Sequence, residues 1–221
     1  MTPPVSIELP LDADDSVFGE LAEPIDGKAA VVLLHGRDSD LDALRPFAVP
    51  LRTLQISTLL IDLPGHGLSG GDWDRDGARA VELAFARAAR PGVPIGVVAV
   101  GEAVELLWPS EPQGVCAVAV VSPRLAPDWS DRAQAWRQVP MIAMGDPTDS
   151  QTRSALDELA GWTRGWALQL SAHMTGGPTD WPPQMVHAAA AFVAEQAAYR
   201  NRPDPRRQQG TAGSEPQPST P

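Results

Sequence analysis

The sequence predicts an α/β domain, a mostly parallel twisted sheet of about eight strands with helices on both faces. Three observations carry that expectation. Short, largely apolar runs, such as Ala29–Leu34, Thr58–Ile61 and Val115–Val121, read as strands buried on both sides. Segments with helical spacing separate them, so right-handed crossovers are needed. At Pro94–Leu107 a short apolar run passes through Ala99-Val100-Gly101-Glu102-Ala103 into helical spacing. That strand–sharp turn–helix unit thrusts its pivot out at the carboxyl end of the sheet, where open α/β sheets bind ligands.

Length and composition bound the problem. The 221 residues suit one domain, and 43% hydrophobic with 20% charged residues can bury an ordinary core. The expected division is a single domain over 1–199 and a disordered tail over 200–221, rich in Pro, Arg, Gln, Gly and Ser. The formal net charge is -11, of which the tail contributes about +2. An acidic body without a basic stripe argues against nucleic-acid partners and anionic membranes. The start, MTPPVSIELP, has no basic-then-apolar leader pattern, and the single Cys116 allows no intrachain disulfide. A cytoplasmic location is therefore expected.

In order, Val5–Leu9 and Ser16–Leu21 read as two leading strands around an acidic turn. Asp40–Leu54 has helical spacing at Leu41, Leu44, Phe47 and Leu51, which Pro46 and Pro50 shorten or kink. Asp76–Arg90 is an amphipathic helix with Ala80, Val81, Leu83, Ala84 and Ala88 on its apolar side. The helix after Gly101 ends at Trp108-Pro109. Strands follow at Val115–Val121, Val139–Met144 and Trp166–Leu170, with helical segments at Trp129–Arg137 and Gln151–Trp162. The last helix spans roughly Pro183–Ala198, its prolines suited to a first turn.

With these elements in place, three stretches resemble the α/β-hydrolase superfamily. Val31–Gly36 is similar to the strand ending in His-Gly, after which that superfamily supplies an oxyanion-hole amide. Asp62-Leu63-Pro64-Gly65-His66-Gly67-Leu68-Ser69 resembles its D-x-P-G-H-G-x-S loop, and Met141–Asp149 the strand leading to its triad acid. The resemblance implies Asp149 as the acid and His173 as the histidine, in the expected chain order. It places the nucleophile position on Gly101, because only that register puts small residues, Ala99 and Ala103, on both sides. There the chain departs from the superfamily. Glycine relieves the strain of such a turn but supplies no attacking oxygen, so covalent serine-esterase chemistry is not expected.

The remaining candidates each have two readings. His35 either shapes the oxyanion loop or is a histidine bonded to backbone, and the second is favoured. Gly36 and Arg37 present amides toward the pocket, while the Arg37 side chain is a solvated charge or an anion receptor. Glu102 supplies an amide and a pocket carboxylate, or is simply a first-turn acid favouring the helix dipole. Trp129 and Trp136 either wall an apolar ligand site or pack their segment onto the body. Only some fifteen residues lie between the strands flanking that segment, so no cap domain is expected.

Three readings of function follow. The first is a non-hydrolytic protein that uses the pocket for a small molecule or a protein partner. The second is an enzyme working through a His173–Asp149 acid/base dyad on an ester or carbonyl-type compound, as a lyase, cyclase or water-attack hydrolase. A third reading makes the tail and acidic surface a scaffold. No metal-ligand cluster, P-loop or dinucleotide fingerprint is present, so no cofactor is expected.

Overall fold

The computed structural model describes residues 3–163, 167–171 and 183–200. Among these described residues, eight strands form one sheet: β1 (Val5–Pro10), β2 (Ser16–Ala22), β3 (Ala30–Leu34), β4 (Ser57–Ile61), β5 (Ile95–Val100), β6 (Val115–Val121), β7 (Met141–Gly145) and β8 (Ala167–Ser171). Their order is β1-β2-β4-β3-β5-β6-β7-β8. The β1–β2 and β2–β4 pairs are antiparallel, and all later pairs are parallel. Strands β3 to β7 are buried along their whole length, as strands covered on both faces must be.

The helices are α1 (Arg45–Thr53), α2 (Trp73–Ala88), α3 (Trp129–Arg132), α4 (Ser150–Trp162) and α5 (Pro183–Arg200). Period-2 alternation splits the core between two faces. Val32, Leu34, Leu59 and Ile61 point toward Ala80, Val81 and Ala84 of α2. Val31, Leu33 and Leu60 point toward Phe47 and Leu51 of α1 and toward Val186 and Val193 of α5.

Four elements differ from expectation. The stretch after Gly101 is a 3-10 helix, Gly101–Leu106, rather than an α-helix. Pro109 explains this: its ring disfavours α conformation at Trp108 and would meet the carbonyl of Glu105 in a continued helix. Helix α2 begins at Trp73 because Asp72 caps it, accepting from the amides of Asp74 and Arg75, each at 3.0 Å. The 40–54 segment divides into a 3-10 turn, Leu41–Leu44, and α1, which keeps Pro50 inside its last turn. The expected helix over 129–137 is likewise only α3 followed by a 3-10 turn, Gln134–Trp136.

Candidate functional site

The pivot forms where β5 ends. Gly101 has φ +58, a left-handed conformation that glycine adopts freely. Ala99 and Ala103 are both fully buried, so the strand and the following turn approach closely around it. A Cβ built at 101 would meet only the Gly36 Cα, at 3.6 Å, an ordinary contact. The site has room for a side chain; only the backbone conformation discourages one.

The loop after β3 sits directly against this turn. The Gly36 side-chain direction faces the Val100 carbonyl at 3.6 Å and the Glu102 Oε2 at 3.8 Å. His35, fully buried, ties this loop to the next one. The Leu63 amide donates to its Nε2 at 2.8 Å, which leaves the proton on Nδ1, donated to the Gly36 carbonyl at 2.7 Å. Burial lowers its pKa, consistent with that neutral form. Arg37 pairs with Asp74 and lies 5.1 Å from the centre of the Trp73 ring, on the side of α2. Bonding to Asp74 raises the Arg37 pKa.

The Asp62–Ser69 loop is held from within. The Asp62 carboxylate accepts from the amides of Leu41 at 2.9 Å and Leu68 at 3.3 Å. Ser69 Oγ donates to the Asp62 carbonyl at 2.6 Å and accepts from the Phe18 amide at 2.8 Å. His66 places Nδ1 at 3.0 Å from the Pro64 carbonyl and Nε2 against the Arg37 carbonyl. These groups brace the loops beneath the site.

Asp149 follows β7 and caps α4, accepting from the Gln151 amide at 3.1 Å and from Thr152 Oγ1 at 2.9 Å. Its Oδ2 is also 2.6 Å from Arg124 Nη2. Bonding to Arg124 is the main reason its pKa falls to about 2. His173, the expected partner of Asp149, lies outside the described residues.

Arg124 escaped the sequence reading. It enters because Ser122, at φ +47, turns the chain sharply at the end of β6. The Arg124 amide then donates to the Gly101 carbonyl at 3.2 Å. Its only sequence signal is an arginine two residues beyond a serine at a strand's carboxyl end.

Beside Gly101 lies a cleft of about 410 Å³. Glu102, Arg124 and Leu125 form one side, and Gln151, Ser154, Ala155 and Glu158 of α4 the other. The four α4 residues share one helix face by their spacing. Trp129 is 4% exposed and packs against Trp162 and Trp108, with ring centres 4.9 and 6.1 Å away. Its indole N–H donates to Glu158 Oε2 at 2.9 Å, so it reaches the cleft only through that carboxylate. Trp136 is fully buried against Trp108 and donates to the Ser110 carbonyl at 2.8 Å. Two larger clefts, of about 610 and 980 Å³, lie against α5 and away from these groups. We place the candidate site at the smaller cleft, because it alone of the three adjoins the carboxyl ends of the strands.

Among the described residues, no group of three or more His, Cys, Asp or Glu could hold a metal ion. No helix there is long and apolar enough to cross a membrane. Among the described residues, the cleft brings together two carboxylates, Glu102 and Glu158, and the Arg124 guanidinium paired with Asp149.

No family model and no curated protein matches the chain in sequence. Solved structures do match it in shape. A predicted CIB-like hydrolase from Thermoplasma acidophilum superposes with a TM-score of 0.71 at 14% identity, covering 88% of this chain and 100% of that one. An esterase from Pyrococcus furiosus gives 0.71 at 13% identity, covering 89% and 92%. The mouse α/β hydrolase domain-containing protein 10 gives 0.67 at 9% identity, covering 88% and 99%. The strand order, the turn at Gly101 and these superpositions lead to one conclusion: the chain has the α/β-hydrolase fold.

Proposed function

We propose that this chain is a non-hydrolytic protein of α/β-hydrolase fold that binds a small molecule in the cleft beside Gly101. The observation that carries the reading is the pivot itself. It keeps the left-handed turn and small neighbours that such a fold uses to present a nucleophile, yet it carries no side chain. Asp149 supports the reading, since its carboxylate is engaged by Arg124 and Thr152. An acid spent on an arginine is poorly placed to orient a histidine as a base. Several neighbours in shape carry the names esterase or hydrolase, and at such low identity those names transfer only the architecture.

The test pairs the wild type with Gly101→Ser on a panel of short p-nitrophenyl esters and thioesters. We expect no turnover from the wild type, and a folded but inert Gly101→Ser variant. Thermal-shift screening of the wild type against small molecules should find stabilising ligands. Wild-type ester turnover abolished by His173→Ala would sink the reading in favour of the His173–Asp149 enzyme. Phosphonate-sensitive activity in Gly101→Ser would mean instead that the acid–base machinery is assembled and lacks one oxygen.

A further inference from the structure

We infer that His66 is a proton-operated clasp: with a proton gained it ties the Gly36–Arg37 loop to the Asp62–Ser69 loop beside the Gly101 pivot, and with that proton lost it releases the tie. The inference stands apart from what the cleft binds. Two neighbouring histidines, with ring centres 5.1 Å apart, make the case by contrast. His35 meets one donor, the Leu63 amide on Nε2, and one acceptor, the Gly36 carbonyl on Nδ1. A neutral imidazole, with one N–H and one lone pair, satisfies both. His66 meets two acceptors instead. Its Nδ1 is 3.0 Å from the Pro64 carbonyl, and its Nε2 faces the Arg37 carbonyl. A carbonyl oxygen only accepts, so a neutral ring serves one of them and turns a lone pair toward the other. Only the imidazolium donates to both.

The surroundings assign the proton to His66 rather than to His35. His35 is fully buried, and burial lowers its pKa; a charge on His66 acts in the same direction. His66 is half-buried, so solvent protons reach it. The Arg37 guanidinium, which opposes a second cation, is paired with Asp74 of α2, and Glu102 and Asp72 add negative charge on that side. Asp62, which accepts from the Leu41 and Leu68 amides, and Asp40 on the loop after β3 favour positive charge at the pair. From α2 the uncharged Trp73 ring packs 5.3 Å from the His66 ring. The two bonds of His66 differ in reach. The Pro64 carbonyl is two residues away in the same turn, whereas the Arg37 carbonyl is 29 residues away on another loop. The local bond orders the least chain, so a neutral ring keeps that one. The bond to Arg37 is therefore present in the acid form and lost as pH rises. It bears on the pivot, because a Cβ at Gly101 would meet the Gly36 Cα and one at Gly36 would face Glu102 Oε2.

The test is long-range proton–nitrogen NMR of the full chain, labelled at the histidine ring nitrogens, across about pH 5 to 8, where histidine titrates. His66 should carry protons on both nitrogens at the acid end and lose only the one on Nε2 as pH rises. His35 should keep a bare Nε2 throughout. The amide signals of Gly36, Arg37 and Asp38 should shift with the same midpoint as His66. Their hydrogen exchange, corrected for its intrinsic dependence on pH, should become about fivefold faster at the alkaline end, as loss of one hydrogen bond implies. In His66→Gln the loop should lose this transition, whereas His187→Gln, on α5, should leave it intact. A loop transition that persists in His66→Gln overturns the proposal. The ring spectra of the wild type decide independently of any variant: a single proton on His66 at the acid end, or an Nε2 proton kept at the alkaline end, overturns it as well.

Discussion

Arg124 sets the character of the site more than any other single side chain. It joins the end of β6 to the Gly101 carbonyl through its amide and to Asp149 through its guanidinium. The Asp149 pKa of about 2 means that this pair contributes stability only when the carboxylate is ionised. The sign follows from linkage: the folded pKa is depressed, so the contribution is complete above the ordinary aspartate value near 4 and disappears as pH falls through about 2. Both side chains are about one-third exposed, so solvent screening limits the effect. Arg124→Met should therefore lower stability at pH 7 by about 1 kcal/mol or less. It should also raise the Asp149 pKa toward its ordinary value, as carboxyl-resolved NMR titration would show. The stability gap between variant and wild type should narrow between pH 4 and pH 2. A gap unchanged across that range would mean that Arg124 acts through packing alone.

At the scale of the element, short local signals decide where helices start and stop. Asp72 accepts two amides at the first turn of α2, and Trp73 behind it is buried against the loops that carry His35 and His66. Asp72→Ala should cost about 1 kcal/mol through loss of the cap. In a domain of this size that is about 2–4 °C in Tm, measurable by calorimetry. The opposite case is the turn after Gly101, where apolar spacing suggested an α-helix. Pro109 overrides the spacing, and the segment closes as a 3-10 helix whose Glu105 accepts from the Ala126 amide at 2.8 Å and pairs with Arg132. Burial raises the Glu105 pKa, so this carboxylate is bound into the connection between β6 and β7 rather than displayed in the cleft. The period of the apolar residues was readable; which helix type they formed depended on one proline.

At the scale of the whole molecule, α5 is laid over the middle of the sheet by close approach rather than by complementary charge. A Cβ at Gly96 of β5 would overlap Val193 Cγ1 of α5 and come within 3.3 Å of Val31 Cγ2 of β3. Gly96→Ala should therefore destabilise the fold by about 1–3 kcal/mol through overpacking. Val193→Ala alone leaves a void and also destabilises. The double variant should recover much of the loss, because the new methyl enters the space vacated by valine. A double-mutant cycle in urea measures this coupling. Strictly additive losses would mean that α5 adjusts its seat on the sheet instead of clashing.

The sequence by itself determined the layered sheet, because short, largely apolar runs have no stable home except between two layers of helix. It also determined the two tight loops and the absence of a side chain at the pivot, since Ala99, Gly101 and Ala103 leave only one register. Glu102 at the cleft was legible for the same reason: it is the residue next to the pivot. Only the tertiary structure decided what Asp149 does. Its partner Arg124 lies on a different strand end, and the two meet because β6 and β7 are neighbours in register. Trp129 was equally undecided in the sequence, where an indole in a short segment suits either a ligand wall or a core. Packing among Trp108, Trp136 and Trp162 places it inside, with only its N–H reaching out to Glu158. Local pattern fixes which face of an element is apolar; the pairing of charges across the ends of separate strands is a property of the assembled sheet.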